Sequence, residues 1–162
     1  MRRLKRIVLE NFQSHRQTEI LLAPTVTVLI GESDQGKSAI VRALRWLFYN
    51  KPQGADFIRV GADSCRVAAE FEDGLVVIRE RRGKTNRYEI RRPGEAPHPE
   101  EGFGRDVPQA VVELTGIYPL KLEGAGFELH VAHQLDPPFL LKETPAVRAR
   151  AVGHLSGTDL FD

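Results

Sequence analysis

The sequence has little cysteine and no long apolar run. Cys65 is the single cysteine among 162 residues, which excludes an intrachain disulfide and a multi-cysteine zinc site. No apolar stretch approaches the ~20 residues that a helix needs to span a bilayer. The N-terminus, MRRLKRIVLENF, does not match a secretory signal, because polar residues follow within a few positions. We therefore expect no membrane segment and a cytoplasmic location.

Charge is low overall but unevenly distributed. The formal net charge is +1, and 41% hydrophobic with 28% charged residues is typical of one globular domain. Residues 79–92, RERRGKTNRYEIRR, contain seven basic and two acidic residues. A basic segment on a nearly neutral chain indicates a polyanionic partner.

The first third of the chain predicts strands followed by a helix. Residues 4–10 and 17–22 alternate as strands do, with a turn between them. The run TVTVLI, 25–30, is β-branched and uncharged, which predicts a strand buried on both faces. Helical spacing then extends from Gly36 to Tyr49.

The middle of the chain returns to extended patterns. Residues 65–72, 74–81 and 86–92 are separated by glycine-containing turns, which predicts an antiparallel meander. The following segment, PGEAPHPEEGFG at 93–104, is rich in proline and glycine and is predicted to be a loop.

Three further elements are expected toward the C-terminus. A short helix should begin at Asp106 and end at Gly116, and residues 126–135 should form a strand. A last helix should be capped by Thr144, with Pro145 behind the cap. Its predicted buried side chains are Val147, Ala151 and Leu155.

A phosphate-binding motif is the strongest functional signal. Residues 31–38, GESDQGKS, satisfy G-x-x-x-x-G-K-[ST]. Glycines let such a loop curl so that its amides face a phosphate, and the helix that follows adds its positive dipole end. Lys37 would reach the β and γ phosphates, and the Ser38 hydroxyl would bind Mg²⁺. The predicted nucleotide-binding residues of the loop are Gly31, Ser33, Asp34, Gln35, Gly36, Lys37, Ser38 and Ala39.

The rest of a hydrolytic site is not evident in the sequence. Hydrolysis by this class requires an acidic residue that holds the metal and orients water. The nearest match to an apolar strand ending in a carboxylate is LVVIRE, which is interrupted by Arg79. The C-terminal Leu155-Ser156-Gly157-Thr158 begins like the LSGG signature of ABC-type ATPases, but it follows a predicted helix and fits a helix C-terminus. We therefore expect ATP binding without a complete catalytic set.

Three segments of the chain resemble one family. They are VLENFQSHRQTEI at 8–20, the phosphate loop, and VAHQLDPPFLL at 131–141. Together they resemble the N-terminal half of an SMC-like, ABC-type DNA-repair ATPase, the SbcC-type subunit of double-strand-break nuclease complexes. The resemblance implies an α/β P-loop NTPase fold over residues 1–162. This would be the N-terminal lobe of an ABC/SMC head, with a mixed sheet, an antiparallel meander and flanking helices.

The resemblance also implies roles for residues outside the loop. In the family the opening turn approaches the nucleotide, which implies contacts from Asn11, Gln13, Ser14 and His15. Many relatives have arginine where Gln13 stands. Gln134 would be the Q-loop residue that contacts Mg²⁺ or the attacking water, so that Lys37 and Gln134 are the implied catalytic residues.

The implied cofactors are ATP and Mg²⁺, and the implied partners are macromolecular. They are the chain's own C-terminal ATPase lobe, a second head in a homodimer, DNA, and a break-repair nuclease. In this family the lobe and an intervening coiled coil would lie beyond this chain. Basic residues of the 79–92 hairpin could contact DNA phosphates, or could simply guard a solvated edge. The candidates are Arg79, Arg81, Arg82, Lys84 and Arg87.

Two other functions stay open at this point. A complete small P-loop kinase would suit the length, but it needs parallel strands and a lid arginine, whereas a meander is predicted here. A non-catalytic DNA-binding module, whose phosphate loop holds only an anion, is the second alternative.

Overall fold

The computed structural model describes residues 2–122, 125–132 and 140–156. The chain divides into two compact units, Met1–Ile117 and Tyr118–Asp162. The first unit contains a six-stranded sheet and two helices, and the second contains a short hairpin and one helix. None of the helices in the described part of the chain is long and apolar enough to cross a membrane.

The sheet of the first unit is antiparallel throughout its described strands. Their spatial order is β2-β1-β3-β4-β5-β6, and each neighbouring pair is antiparallel. The predicted meander is therefore confirmed. The strands are β1 (Leu4–Phe12), β2 (His15–Leu21), β3 (Ser64–Phe71), β4 (Val76–Arg82), β5 (Thr85–Arg91) and β6 (His98–Glu101).

Strand β6 corrects the prediction of a loop over 93–104. It pairs with β5, with Ile90 opposite His98 and Arg87 opposite Glu101. Because β6 is an edge strand, Pro99 can occupy it without removing a hydrogen bond that a central strand would need.

The core of the first unit lies between the sheet and helix α1 (Lys37–Tyr49). Strand alternation turns one face of β1, β3 and β4 toward the helix, where Leu9, Val67 and Val77 are fully buried. An aromatic cluster closes one end of this core, with the Trp46 ring centroid 4.7 Å from that of Phe57.

The predicted buried strand over residues 25–30 is wrong. The structure has no strand there, and Val26, Val28 and Ile30 are 72%, 72% and 89% exposed. A strand buried on both faces needs neighbouring strands and covering elements. None of the described strands pairs with this segment, which explains why its apolar side chains face solvent.

Three of the four predicted boundaries of the first two helices are close to the observed ones. Helix α1 begins at Lys37 with Gly36 as its N-cap and ends at Tyr49, as predicted. Helix α2 (Gln109–Thr115) has the predicted end residue Gly116 as its C-cap, but it starts later than the predicted Asp106. The delay has a local cause, because the residue before α2, Pro108, has an extended ψ of 136°.

The second unit contains strands β7 (Leu120–Leu122) and β8 (Ala125–Phe127), paired antiparallel. The predicted strand over 126–135 is therefore only partly correct, because residues 128–132 are turn or irregular. Residues 133–135 lie outside the described part of the chain.

Helix α3 (Pro145–Ser156) begins where the sequence predicts. The amide of Val147 donates to Thr144 Oγ1 over 3.4 Å, so the predicted cap is confirmed. Val147 and Ala151 are buried, but Leu155 is 52% exposed, contrary to the prediction. Leu155 lies in the last turn of the helix, where the packed face no longer covers it.

Arg79 of β4 is buried beneath the last turn of α1. Its side chain, 1% exposed, donates to the Trp46 carbonyl at 2.5 Å and to Asn50 Oδ1 at 2.6 Å. The guanidinium carbon lies 4.2 Å from the Trp46 ring centroid and 5.0 Å from that of Tyr88. No carboxylate among the described residues lies within ion-pair distance. The Trp46 carbonyl, the Asn50 amide oxygen and the aromatic rings therefore compensate the charge, and burial lowers the pKa of Arg79.

We expect Arg79→Met to lower the free energy of unfolding by about 2–3 kcal/mol, measured by urea denaturation. The loss follows because Trp46 O and Asn50 Oδ1 would be left without a donor in a buried site. Arg82→Met, at an exposed position of the same strand, should change the value by less than about 0.5 kcal/mol. Equal stability of the two variants would show that desolvation cancels the Arg79 hydrogen bonds.

Candidate nucleotide-binding site

The phosphate loop curls at the N-terminus of α1. Asp34 and Gly36 adopt left-handed φ values of 61° and 85°, which turn the backbone between them. Gly36 caps α1 without any side-chain hydrogen bond to the first turn. No described side chain therefore caps this helix N-terminus, and a helix start of this kind offers backbone amides to an anion.

Lys37 folds back over this loop. Its Nζ donates to the carbonyl of Gly31 at 2.6 Å and also to that of Glu32. The ammonium therefore lies at the mouth of the curl, within reach of an anion bound there. Neither carbonyl carries a formal charge. The Lys37 ammonium can therefore exchange these two hydrogen bonds for stronger ones to phosphate oxygens.

The other predicted loop residues divide into exposed and packed positions. Ala39 is 1% exposed and its amide donates to Gly36 O at 2.9 Å, so it belongs to the helix and core. The exposed positions are Ser33, Asp34, Gln35 and Ser38.

The opening turn between β1 and β2 lies directly against the phosphate loop. His15 Nε2 is 3.0 Å from the Gly36 carbonyl, and its Nδ1 is 2.8 Å from Thr18 Oγ1. Because a carbonyl only accepts, Nε2 must carry a proton. A Cβ added at Gly36 would lie 2.7 Å from both His15 Nε2 and Ser14 Oγ. The structure thus brings together the two segments that the sequence singled out.

A third segment, residues 55–62, supports the opening turn, although no motif in the sequence predicted it. The amide of Arg59 donates to Asn11 O at 2.9 Å, and its Nη1 donates to Ser14 O at 2.7 Å. Phe57 stacks on Phe12 with ring centroids 5.5 Å apart. The apolar pair Phe57-Ile58 within a polar loop is the one sequence signal that could have indicated this anchoring role.

Gln13 and Arg42 form a second contact that the sequence did not reveal. Gln13 has a left-handed φ of 50°, and its amide donates to Phe57 O at 2.7 Å. Its side-chain Oε1 accepts a hydrogen bond from Arg42 Nε of α1 at 2.8 Å. The predicted contact residue Gln13 is therefore coupled to the phosphate-loop helix.

The predicted DNA-contact set is only partly exposed. The prediction for Arg79 is wrong, because strand alternation turns it into the core. Arg81 is half-buried and donates to Gly54 O, and Arg87 pairs with Glu80 at 2.9 Å. Arg82 and Lys84 are exposed at the tip of the hairpin, without an ion pair to any described residue.

The predicted Q-loop residue, Gln134, lies outside the described residues, so its role stays a prediction. The same holds for Gly157 and Thr158 of the signature-like sequence, whereas Leu155 and Ser156 form the end of α3.

The geometry defines a class of protein. A loop bracketed by glycines immediately precedes the amphipathic helix α1, and the Lys37 side chain lies over that loop. The six-stranded sheet packs against one side of the helix. This is the arrangement of a P-loop nucleotide-binding domain.

Comparison with known proteins identifies the family. The family model described as AAA domain matches residues 6–106, and the chain belongs to this family. It is 38% identical over 74 residues to a DNA double-strand break repair Rad50 ATPase of Methanococcus maripaludis, covering 43% of this chain and 7% of that protein. It is 34% identical over 92 residues to a DNA replication and repair protein RecF of Nocardioides sp., covering 52% of this chain and 22% of that protein. The chain thus spans less than a quarter of the length of either relative.

Solved structures support the same fold. A structure from work on ATP-driven dimerisation and DNA-stimulated activation of SMC ATPases superposes with a TM-score of 0.64 at 17% identity, covering 94% of this chain and 99% of that one. ATP-bound RecF superposes with a TM-score of 0.51 at 16% identity, covering 55% of this chain and 27% of that one. The predicted fold class and the resemblance to SMC-like DNA-repair ATPases are confirmed.

We expect Gly36→Ala to destabilise the protein by about 1–2 kcal/mol more than Gly83→Ala, as measured by denaturant unfolding. Both glycines have positive φ, 85° and 57°, but nothing lies within 4 Å of a Cβ at Gly83. The difference between the variants therefore isolates the collision with Ser14 and His15 from backbone strain. Equal losses would mean that the turn moves aside without cost.

Proposed function

We propose that this chain is the ATP-binding half of an SMC-like DNA-repair ATPase. The observation that carries the proposal is the joined arrangement of the phosphate loop and the opening turn through His15 and Gly36. The loop supplies the backbone amides at the start of α1 and the Lys37 ammonium. The turn supplies the Ser14 and His15 side chains beside them. ATP is the nucleotide named for the Rad50 and RecF relatives.

Magnesium would accompany the nucleotide. Ser38 is exposed at the start of α1, and a hydroxyl oxygen is a ligand that Mg²⁺ accepts alongside water and phosphate oxygens. The donor set therefore fits the ion, and Gln134 is the second proposed ligand. When bound, Mg²⁺ would neutralise charge that develops on the transferring phosphate.

The exposed segment 25–30 supports the proposal that a second lobe completes the site. It leads directly into the phosphate loop, and its apolar side chains have no covering element among the described residues. An unpaired apolar segment of this kind is suited to pair with added strands. We propose that the C-terminal ATPase lobe supplies those strands, together with the acidic residue and signature motif that hydrolysis requires.

Dimerisation and nuclease regulation extend this proposal. The structurally similar SMC ATPases are described as dimerising under ATP, and the Rad50 relatives as acting in double-strand break repair. We propose that two heads of this protein enclose two nucleotides, clamp DNA and regulate a nuclease subunit. The antiparallel pairing of the described sheet argues against a small P-loop kinase, which is built on parallel strands.

We expect Lys37→Ala to weaken MgATP binding by about 30-fold or more, measured by calorimetry, because a charge-assisted contact to phosphate is lost. Lys84→Ala, which removes the same charge at the distant hairpin tip, should bind like the unmodified chain. The chain alone should show turnover far below the ~1–10³ s⁻¹ of complete enzymes. Brisk hydrolysis by the isolated chain would contradict the proposal, and phosphoryl transfer to a small acceptor would favour a kinase.

We propose that duplex DNA contacts the hairpin tip, with Arg82 and Lys84 as the residues that stand free for phosphates. Changing both to glutamine should lower the slope of log affinity against log salt by about 1–2, as measured by fluorescence anisotropy on unrelated duplexes. Arg91→Gln is the matched control, because Arg91 already pairs with Glu89 at 2.5 Å. An unchanged slope in the double variant would remove this surface from the proposal. If the affinity for DNA changed neither on addition of ATP nor in Lys37→Ala, the result would favour a non-catalytic DNA-binding module.

A further inference from the structure

We propose that Arg42 is a second cation of the nucleotide site, which contacts a phosphate of the bound nucleotide, and that Gln13 is the positioning residue that aims it. This inference rests on the proposed function of the phosphate loop and adds a specific residue pair to it.

The position of Arg42 on α1 directs its side chain toward the loop. Arg42 follows Ser38 by four residues, so the two share one helix face, one turn apart. Long side chains on a helix lie over the turn on their N-terminal side. The turn that precedes Arg42 is the first turn of α1, which carries the exposed Ser38 and directly follows the phosphate loop.

Gln13 holds this guanidinium in one orientation. The Gln13 backbone has a φ of 50°, which is uncommon for a residue with a side chain, and its amide is bound to Phe57 O at 2.7 Å. The Oε1 of this anchored residue accepts from Arg42 Nε at 2.8 Å. Because Nε alone bonds to a described residue, both terminal nitrogens keep their donors for a ligand within the described part of the chain.

Arg42 differs from the arginines on the outer face of the sheet in having a neutral partner. On the outer face of the sheet, arginines pair with carboxylates, as in Arg6–Glu70 at 2.8 Å and Arg66–Glu10 at 3.1 Å. Arg42 is half-buried and is held by a neutral amide, with no carboxylate of the described residues in ion-pair range. A partly desolvated cation of this kind is best satisfied by an anion that arrives as a ligand.

The charge of the loop also calls for a further cation. Glu32 and Asp34 place two carboxylates in the loop against the single ammonium of Lys37. A triphosphate would meet net repulsion from these side chains, which only the helix amides and additional cations can offset. The guanidinium of Arg42 has the planar donor geometry that suits a phosphate.

The test measures MgATP affinity by calorimetry, with inorganic triphosphate as competitor, in the full chain. Arg42→Gln should weaken both ligands by about tenfold or more, because a charge-assisted hydrogen bond is lost. Arg42→Lys keeps the charge and should recover affinity to within about threefold. Arg91→Gln removes an exposed arginine that pairs with Glu89 on the sheet, and it should bind like the unmodified chain.

Gln13 is tested through its dependence on Arg42. Gln13→Ala should weaken MgATP binding by about threefold in the unmodified chain and have no effect in Arg42→Gln, as expected for two residues acting together. Additive losses would overturn the positioning role. Melting temperatures within about 2 °C of the unmodified chain would confirm that folding is intact.

The outcomes separate this inference from the proposed function. If Lys37→Ala is impaired but Arg42→Gln binds normally, the assignment of Arg42 fails while the nucleotide site stands. A loss in Arg42→Gln that affects ATP but spares inorganic triphosphate would also overturn it, because the contact would not be to phosphate. If the unmodified chain binds no ATP, the proposed function itself fails.

Discussion

The position of the phosphate loop depends on the buried guanidinium of Arg79 at the opposite end of α1. Arg79 and Tyr88 donate to the carbonyls of Trp46 and Leu47, which belong to the last turn of the helix. Carbonyls at a helix C-terminus carry partial negative charge, so a buried cation satisfies them and is satisfied in return. Hydrogen bonds from β4 and β5 hold the C-terminal end of α1. Because the same helix begins at Lys37, they also fix where the phosphate loop lies relative to the sheet.

The other end of the helix is held by a chain of polar contacts. His15 bonds to the Gly36 carbonyl, and residues 55–62 bond to the turn that carries His15. The aromatic stack of Phe57 on Phe12 connects these contacts to the core. The candidate site is therefore an extension of the core packing, in which the left-handed conformation at Gln13 is stabilised by hydrogen bonds to Phe57 and Arg42.

Much of the local structure could be predicted because it depends on neighbours in the chain. The limits of α1, the meander turns and the Thr144 cap follow from glycine, periodicity and capping residues. In the basic hairpin, by contrast, local patterns did not predict which side chains are exposed. Seven basic residues over 79–92 indicate a charged surface, but alternation turns Arg79 into the core, and Glu80 neutralises Arg87. A count of charges does not show which face each side chain occupies.

The sequence by itself determined the phosphate motif and the helix that follows it, because these depend on short-range geometry and residue spacing, and the fold class followed from the resemblance that three of its segments carry. Only the tertiary structure decided which segments meet: the turn at His15 with Gly36, Gln13 with Arg42, and β6 with β5. It also decided that the apolar segment 25–30 is exposed, since burial depends on what packs against a strand and not on its composition. Contacts between residues distant in the chain depend on the whole packing arrangement, which no local pattern encodes.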